Sequence, residues 1–190
     1  MGHSQAGKAE NRERILKAAA AQIRAGGLES VSVGKLMQAV NLTHGGFYGH
    51  FASRSDLLAQ ALERALVDGE GGARAAAASS SRARGFAGFV RSYLSRAHRD
   101  APERGCAIAA LVSDVGRADR PSRAVMAGHI EDYIAATARG LQGADEAGAI
   151  LAVCAMVGAL AISRVVPENG RSDAILKAVK DKLIALAPDG

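Results

Sequence analysis

Tryptophan is absent, and aromatic residues make up only 4% of the 190 residues. Any core must therefore be built mainly from aliphatic side chains. Proline occurs four times, which leaves long stretches without a residue that breaks a helix. Runs of alternating β-branched residues, the mark of strands, are almost missing. With alanine abundant, the chain reads as all-α. Cysteine occurs only at Cys106 and Cys154. That pair matches no CxxC or zinc-ligand spacing, which argues against a disulfide scaffold or a zinc module and suits a reducing, cytoplasmic setting.

Catalytic signatures are missing as well. There is no GxSxG, HExxH, Walker loop or Rossmann glycine pattern. His98 and His129 have no partner at metal-ligand spacing. No enzyme, metal or cofactor is expected. The N-terminal residues are polar and lack the apolar stretch of a secretory signal, and Ala6 stands where myristoylation requires Ser or Thr. One long uncharged run, 147–163, lies between Glu146 and Arg164. It is rich in Ala and Gly and slightly short of the roughly 20 strongly apolar residues a spanning helix needs. A buried or interface helix is expected there, with no membrane partner.

What is present suits a folded, water-soluble chain: 48% hydrophobic and 23% charged residues, a net charge of +5 and a pI near 9.6. Residues 1–58 carry seven Lys/Arg against four Asp/Glu. The positive excess leans toward the N-terminus, which permits a nucleic-acid partner without proving one.

Periodicity places the helices. Ile15, Ala19 and Ile23, with Leu16 and Ala20 alongside, pattern a first helix over 9–25, stopped by Gly26-Gly27. Ser32 caps a short helix from Val33 to Val40, and Asn41 tolerates the left-handed backbone of a tight turn. Thr43 caps another short helix to about His50, with Phe47 and Phe51 facing inward. Helix, three-residue turn, helix is the helix-turn-helix plan, whose second helix enters the major groove. Ser53 and Asp56 form a capping box for a helix to about Val67. The stretch from Gly69 to Ser81 is expected to fray that helix or to join two domains. Further helices are patterned by Phe86, Phe89, Tyr93 and Leu94, by Ile108, Leu111, Val112 and Val115, and by Val125, Ile130, Tyr133 and Ile134 after Pro121. A helix over 147–166 ends at Pro167–Gly170, and Ser172 caps a final amphipathic one.

The segment from Ser32 to Leu58, with Tyr48-Gly49-His50-Phe51 followed by Ser53, Arg54, Asp56, Leu57 and Leu58, resembles the DNA-binding signature of the TetR family. The Gly105-Cys106 pair before an Ala-rich helix is similar to one branch of that family. The resemblance implies a three-helix helix-turn-helix domain over 8–56 and a larger helical effector-binding and dimerisation domain over 57–190. It also implies a regulator, usually a repressor, held on double-stranded operator DNA.

Residue chemistry and resemblance assign the same roles at the DNA. Thr43 caps the recognition helix and offers its hydroxyl to a phosphate or base. His44, Gly45 and Gly46 occupy its first turn, where side chains meet bases. Lys35, Tyr48, His50 and Arg54 are placed for phosphates. Ser32 and Val33 open a helix whose backbone N–H groups favour phosphate. The paired glycines cost roughly 0.8–1 kcal/mol each relative to alanine. Either they allow close approach to the groove or they leave a loosely formed turn.

For the second half, the resemblance implies a pocket for a small apolar effector, with Phe89, Tyr93, Cys106, Ala110, Met126, Ile130 and Tyr133 as candidate lining. Gly148, Ala152, Ala155 and Ala159 form a small-residue face, and Leu176, Val179 and Leu183 would complete a homodimer interface. A two-fold dimer predicts a palindromic operator. Three alternatives remain open at this point. Arg104 near Cys106 would favour a thiol that senses electrophiles or oxidants. A non-specific DNA binder, or a helical dimer that binds only proteins, would use the same elements differently.

Overall fold

The computed structural model describes residues 5–78, 85–141 and 146–186, and every regular element among them is helical. The fold is all-α, as expected. Helix α1 (Gln5–Gly26) buries Ile15, Leu16, Ala19, Ala20 and Ile23 on one stripe. It stops where Gly27 adopts φ 81°, a value that L side chains rarely take. A 3₁₀ turn, Leu28–Ser30, leads to α2 (Val33–Ala39), which buries Leu36 and Met37. Asn41 then turns the chain at φ 57°, the left-handed conformation its short polar side chain tolerates.

The next element departs from expectation. His44–Gly49 is a 3₁₀ helix rather than an α-helix. Adjacent glycines give little support to α-helical backbone, and the tighter winding is closed by Gly46 N–H on Thr43 O at 3.0 Å and His50 N–H on Phe47 O at 2.9 Å. Thr43 is the cap, its Oγ1 accepting from Gly46 N–H at 3.3 Å. Ser32 occupies its expected cap position without a side-chain bond.

Helix α3 (Arg54–Ala78) opens on the expected box. Ser53 Oγ accepts from Asp56 N–H at 3.0 Å, and the Asp56 carboxylate accepts from Ala52 N–H at 2.9 Å. The helix does not end near Val67; it continues through Gly69 to Ala78. Gly69 is there for packing. A Cβ on it would sit 3.0 Å from Gly105 O and 3.3 Å from Ala107 N. The rest of the expected joint, residues 79–81, lies outside the described residues.

Beyond come α4 (Phe86–Tyr93), the single turn α5 (Arg96–Arg99), a 3₁₀ turn Pro102–Arg104, and α6 (Ala107–Gly116). Helix α7 (Arg120–Gly140) carries Pro121 in its first turn and is capped by Asp119, whose carboxylate accepts from Ser122 N–H at 2.8 Å. Helices α8 (Glu146–Val165) and α9 (Asn169–Ala185) follow. Ser172 does not cap α9. It is buried inside the helix, donating to Ser163 O at 2.6 Å and accepting from Arg99 Nη1 at 2.8 Å.

Two cores result. The first joins α1, α2, the His44–Gly49 turn and α3 to α6, with Met126 added from α7. The second joins α4, α8 and α9. Helix α8 has 20 residues and a mean hydropathy of 2.0, enough by length and composition to cross a membrane. One face packs Ala149, Ala152, Val153, Met156, Ala159 and Leu160 into the protomer. Of the expected dimer face, Ala152, Ala159, Leu176 and Leu183 are buried within one chain. Ala155 and Val179 are partly buried against the same core, and Gly148 is half-buried. The face left outside instead carries Leu151, Cys154, Ile162 and Val165, with Leu151 59% and Val165 81% exposed.

Candidate nucleic-acid interface and internal cavity

The 3₁₀ turn has a buried side and a bare side. Phe47 and Phe51 stack 5.6 Å apart in the core, which fixes how the turn sits on α2 and α3. Tyr48 lies edge-on to Phe47 at 5.2 Å and is 71% exposed. Thr43, His44, Gly45 and Gly46 are exposed beside it. A methyl group on Gly45 would meet nothing within 4 Å. Ser32 and Lys35 are exposed and Val33 is half-buried.

His50 sits in a positive corner. Burial, then Lys8 and Arg12, push its pKa below the usual 6.5, and its Nδ1 is buried without a partner. Arg12 lies over the Phe51 ring, 5.4 Å from its centroid, and donates to Gln60. Arg54 is committed within the protein. Its guanidinium donates to Val31 O and Leu28 O, both at 3.3 Å, and pairs with Glu29 at 3.2 Å. Arg14 in turn fastens α1 to the end of α2 by donating to Val40 O at 2.6 Å.

Three joints tie this head to the rest of the chain. Arg24, with 6% of its side chain exposed, donates to Ala65 O at 3.1 Å and to Glu103 O at 2.7 Å, near Asp68. Leu28 N–H donates to the Asp114 carboxylate at 3.2 Å, and Ser55 Oγ to Asp119 at 2.8 Å. Helix α6 thus reaches from Asp114, beside the head, to Cys106 and Ala107 at its other end.

That other end opens on a cavity of about 220 Å³ between α3, α4, α6 and α7. Phe89, Tyr93 and Tyr133 wall it, with ring centroids 5.8 to 6.3 Å apart. Tyr93 is almost wholly buried, and its hydroxyl has no hydrogen-bond partner. Burial, with the Cys106 thiol nearby, holds its pKa well above the usual 10, so it stays a phenol. His98 braces this wall. Cys106 N–H donates to its Nε2 at 2.8 Å, so Nδ1 bears the proton and donates to Tyr93 O at 2.7 Å. Arg104 pairs with Glu103 and is 80% exposed. The cation near Cys106 is Arg164, whose guanidinium donates to the carbonyls of His98 and Arg99. Among the described residues no three His, Cys, Asp or Glu side chains gather to hold a metal.

The head can now be compared with known proteins. Residues 15–61 match the family model for bacterial regulatory proteins of the tetR family. Those residues form a TetR-family DNA-binding head. No curated protein matches it. Solved structures match over nearly the whole length. A TetR-family transcriptional regulator from Streptomyces coelicolor is 26% identical, with TM-score 0.69 over 95% of this chain and 97% of that one. A TetR-family regulator from Cytophaga hutchinsonii shares 20% identity at TM-score 0.80, covering 100% of both chains. One from Chloroflexus aurantiacus shares 20% at TM-score 0.76, covering 95% and 96%. The chain is a DNA-binding transcriptional regulator, and family members are typically dimers.

Within this TetR-family fold, Phe89, Tyr93, Cys106 and Tyr133 line the cavity. Met126 and Ile130 do not; they lie nearer the start of α7, where the first core fills the space. Ala110 faces an outer cleft instead, beside Arg24 and Asp114. Sequence reasoning missed Phe86, His129 and Thr137 in the wall. Their signal was spacing: 86, 89 and 93, and 129, 133, 137 and 140, each follow one helical face. It also missed Lys8 and Arg12 beside His50, which single-helix patterning assigns only to an outer face.

Proposed function

We propose that the chain is a homodimeric repressor that holds a palindromic operator and releases it when a small apolar molecule enters the cavity. The observation that carries this reading is the capped turn Thr43–Tyr48, rigid on its inner side through Phe47 and bare on its outer side. His44 and the flat surface at Gly45 and Gly46 meet base edges, with DNA shape contributing because few side chains reach out. Lys35, Tyr48 and His50 contact phosphates, joined by Lys8 and Arg12. Ser32, Val33 and Thr43 bring backbone and hydroxyl donors to the same strand. Arg54 orients the head through Leu28 and Val31 rather than meeting DNA. Residues 8–56 form the reading unit and 57–190 the regulatory one. The dimer closes over the apolar stripe Leu151, Cys154, Ile162 and Val165, with open Gly158 at its middle.

Helix α6 supports the release step, because it touches the cavity at one end and the head at the other. A ligand shifts DNA affinity only if it favours one arrangement of these joints. The thiol alternative loses Arg104, which pairs with Glu103, but keeps Arg164 as the cation near Cys106. Selection from a random DNA pool at near-physiological salt tests the reading. A palindromic consensus is expected. Recovery of no motif, with binding lost as salt rises, would instead indicate a non-specific binder. No DNA binding at all would leave a protein-binding dimer.

A further inference from the structure

We infer that the cavity takes a neutral aromatic molecule of one or two rings bearing a carbonyl-type oxygen, which accepts a hydrogen bond from the Tyr93 hydroxyl. This rests on the effector reading above and adds to it the chemistry of the ligand.

A buried hydroxyl without a partner costs free energy that a ligand oxygen can recover. Tyr93 lines the cavity, and its Oη is buried with no partner but the weakly bonding Cys106 thiol beside it. Its proton is not lost at neutral pH, so it acts as a donor. His98 fixes the ring's backbone through Tyr93 O and packs edge-on against the ring, centroids 4.7 Å apart. The donor is therefore held in place before any ligand arrives.

The wall sets the remainder of the molecule. Phe89, Tyr93 and Tyr133 present ring faces and edges, against which another ring packs in offset or edge-to-face geometry. Among the described residues lining the cavity there is no Lys, Arg, Asp or Glu. A cation would lose its hydration with no carboxylate to pair with, and an anion would meet only the His129 imidazole. Arg164 opposes a cation further, because its charge acts on Tyr93 and His98. It offers an anion little, since its guanidinium donates to the carbonyls of His98 and Arg99.

The test uses four probes of similar size on the purified full chain: acetophenone, α-methylstyrene, benzoate and benzyltrimethylammonium. α-Methylstyrene has the shape of the ketone with a CH₂ in place of oxygen. By calorimetry acetophenone is expected to bind about tenfold more tightly than α-methylstyrene, the span of one recovered hydrogen bond. Tyr93→Phe should erase that difference by weakening only the ketone. This variant removes a hydroxyl that has only the weakly bonding Cys106 thiol beside it, so it should fold with a Tm close to the parent's. Equal binding of ketone and hydrocarbon, an unchanged ratio in Tyr93→Phe, tighter binding of either ion, or no binding by any probe would each overturn the inference. Release of selected operator DNA is measured separately. If the ketone binds as described but leaves the DNA complex intact, the ligand chemistry stands and the effector reading fails.

Discussion

Gly45 separates the demands of folding from those of binding. Nothing lies within 4 Å of the Cβ it lacks, so the fold does not require glycine there. Gly45→Ala should keep or slightly raise Tm, since alanine favours helical backbone by up to about 1 kcal/mol. Operator affinity should fall about tenfold as the methyl holds the turn off the groove, read by gel-shift titration. Undiminished affinity would remove the close-approach role. His98 makes a different prediction. Burial, with Arg164 nearby, sets its pKa below the usual 6.5 despite its bond to Tyr93 O. As pH falls through about 6.5, the unfolded chain takes up this proton first. Stability is complete above that pH, declines below it, and levels off once the folded imidazole titrates. Melts between pH 7.5 and 5.5 should show a falling Tm that is flatter in His98→Asn. His50, also lowered, keeps part of the slope. Parallel profiles would mean His98 is indifferent to protonation.

Among the elements, α8 makes the sharpest prediction. Leu151→Arg places a charge in the middle of the exposed apolar stripe, away from the second core. Sedimentation should show a monomer at micromolar concentration, with the helical signal retained. A dimer unaffected by this change would move the interface elsewhere. The same helix shows where sequence reading reached its limit. Its existence followed from an uncharged run, but small residues occur on both its faces, and only packing against α7 and α9 decides which face turns inward. Helix α1, α2 and the capped turn were legible because each has one apolar stripe and a local cap. The length of α3 was not, because Gly69 reads as a helix end until Gly105 is brought against it. In the site, the turn residues from Thr43 to Tyr48 were legible from local spacing. The commitment of Arg54 to Leu28 and Val31, and the bracing of Tyr93 by His98, depend on contacts between distant segments.

At the scale of the whole molecule, Arg24 joins the reading head to the regulatory half. Arg24→Met keeps the apolar stem but deletes the bonds to Ala65 O and Glu103 O. Urea unfolding should show a loss of roughly 1–3 kcal/mol. An unchanged midpoint would make this joint dispensable. The cavity lies along the seam of the two cores: Leu66, Ala107 and Ile108 belong to one, Phe86 and Tyr93 to the other. Other wall positions, such as Ala136 and Gly140, belong to neither. Substitutions there can reshape what the chain responds to while leaving the side chains under the DNA-reading turn in place. Under the proposed function, inducer range and operator choice would be inherited through separate residues, and a lineage of such regulators could acquire a new signal in single steps without losing its target genes.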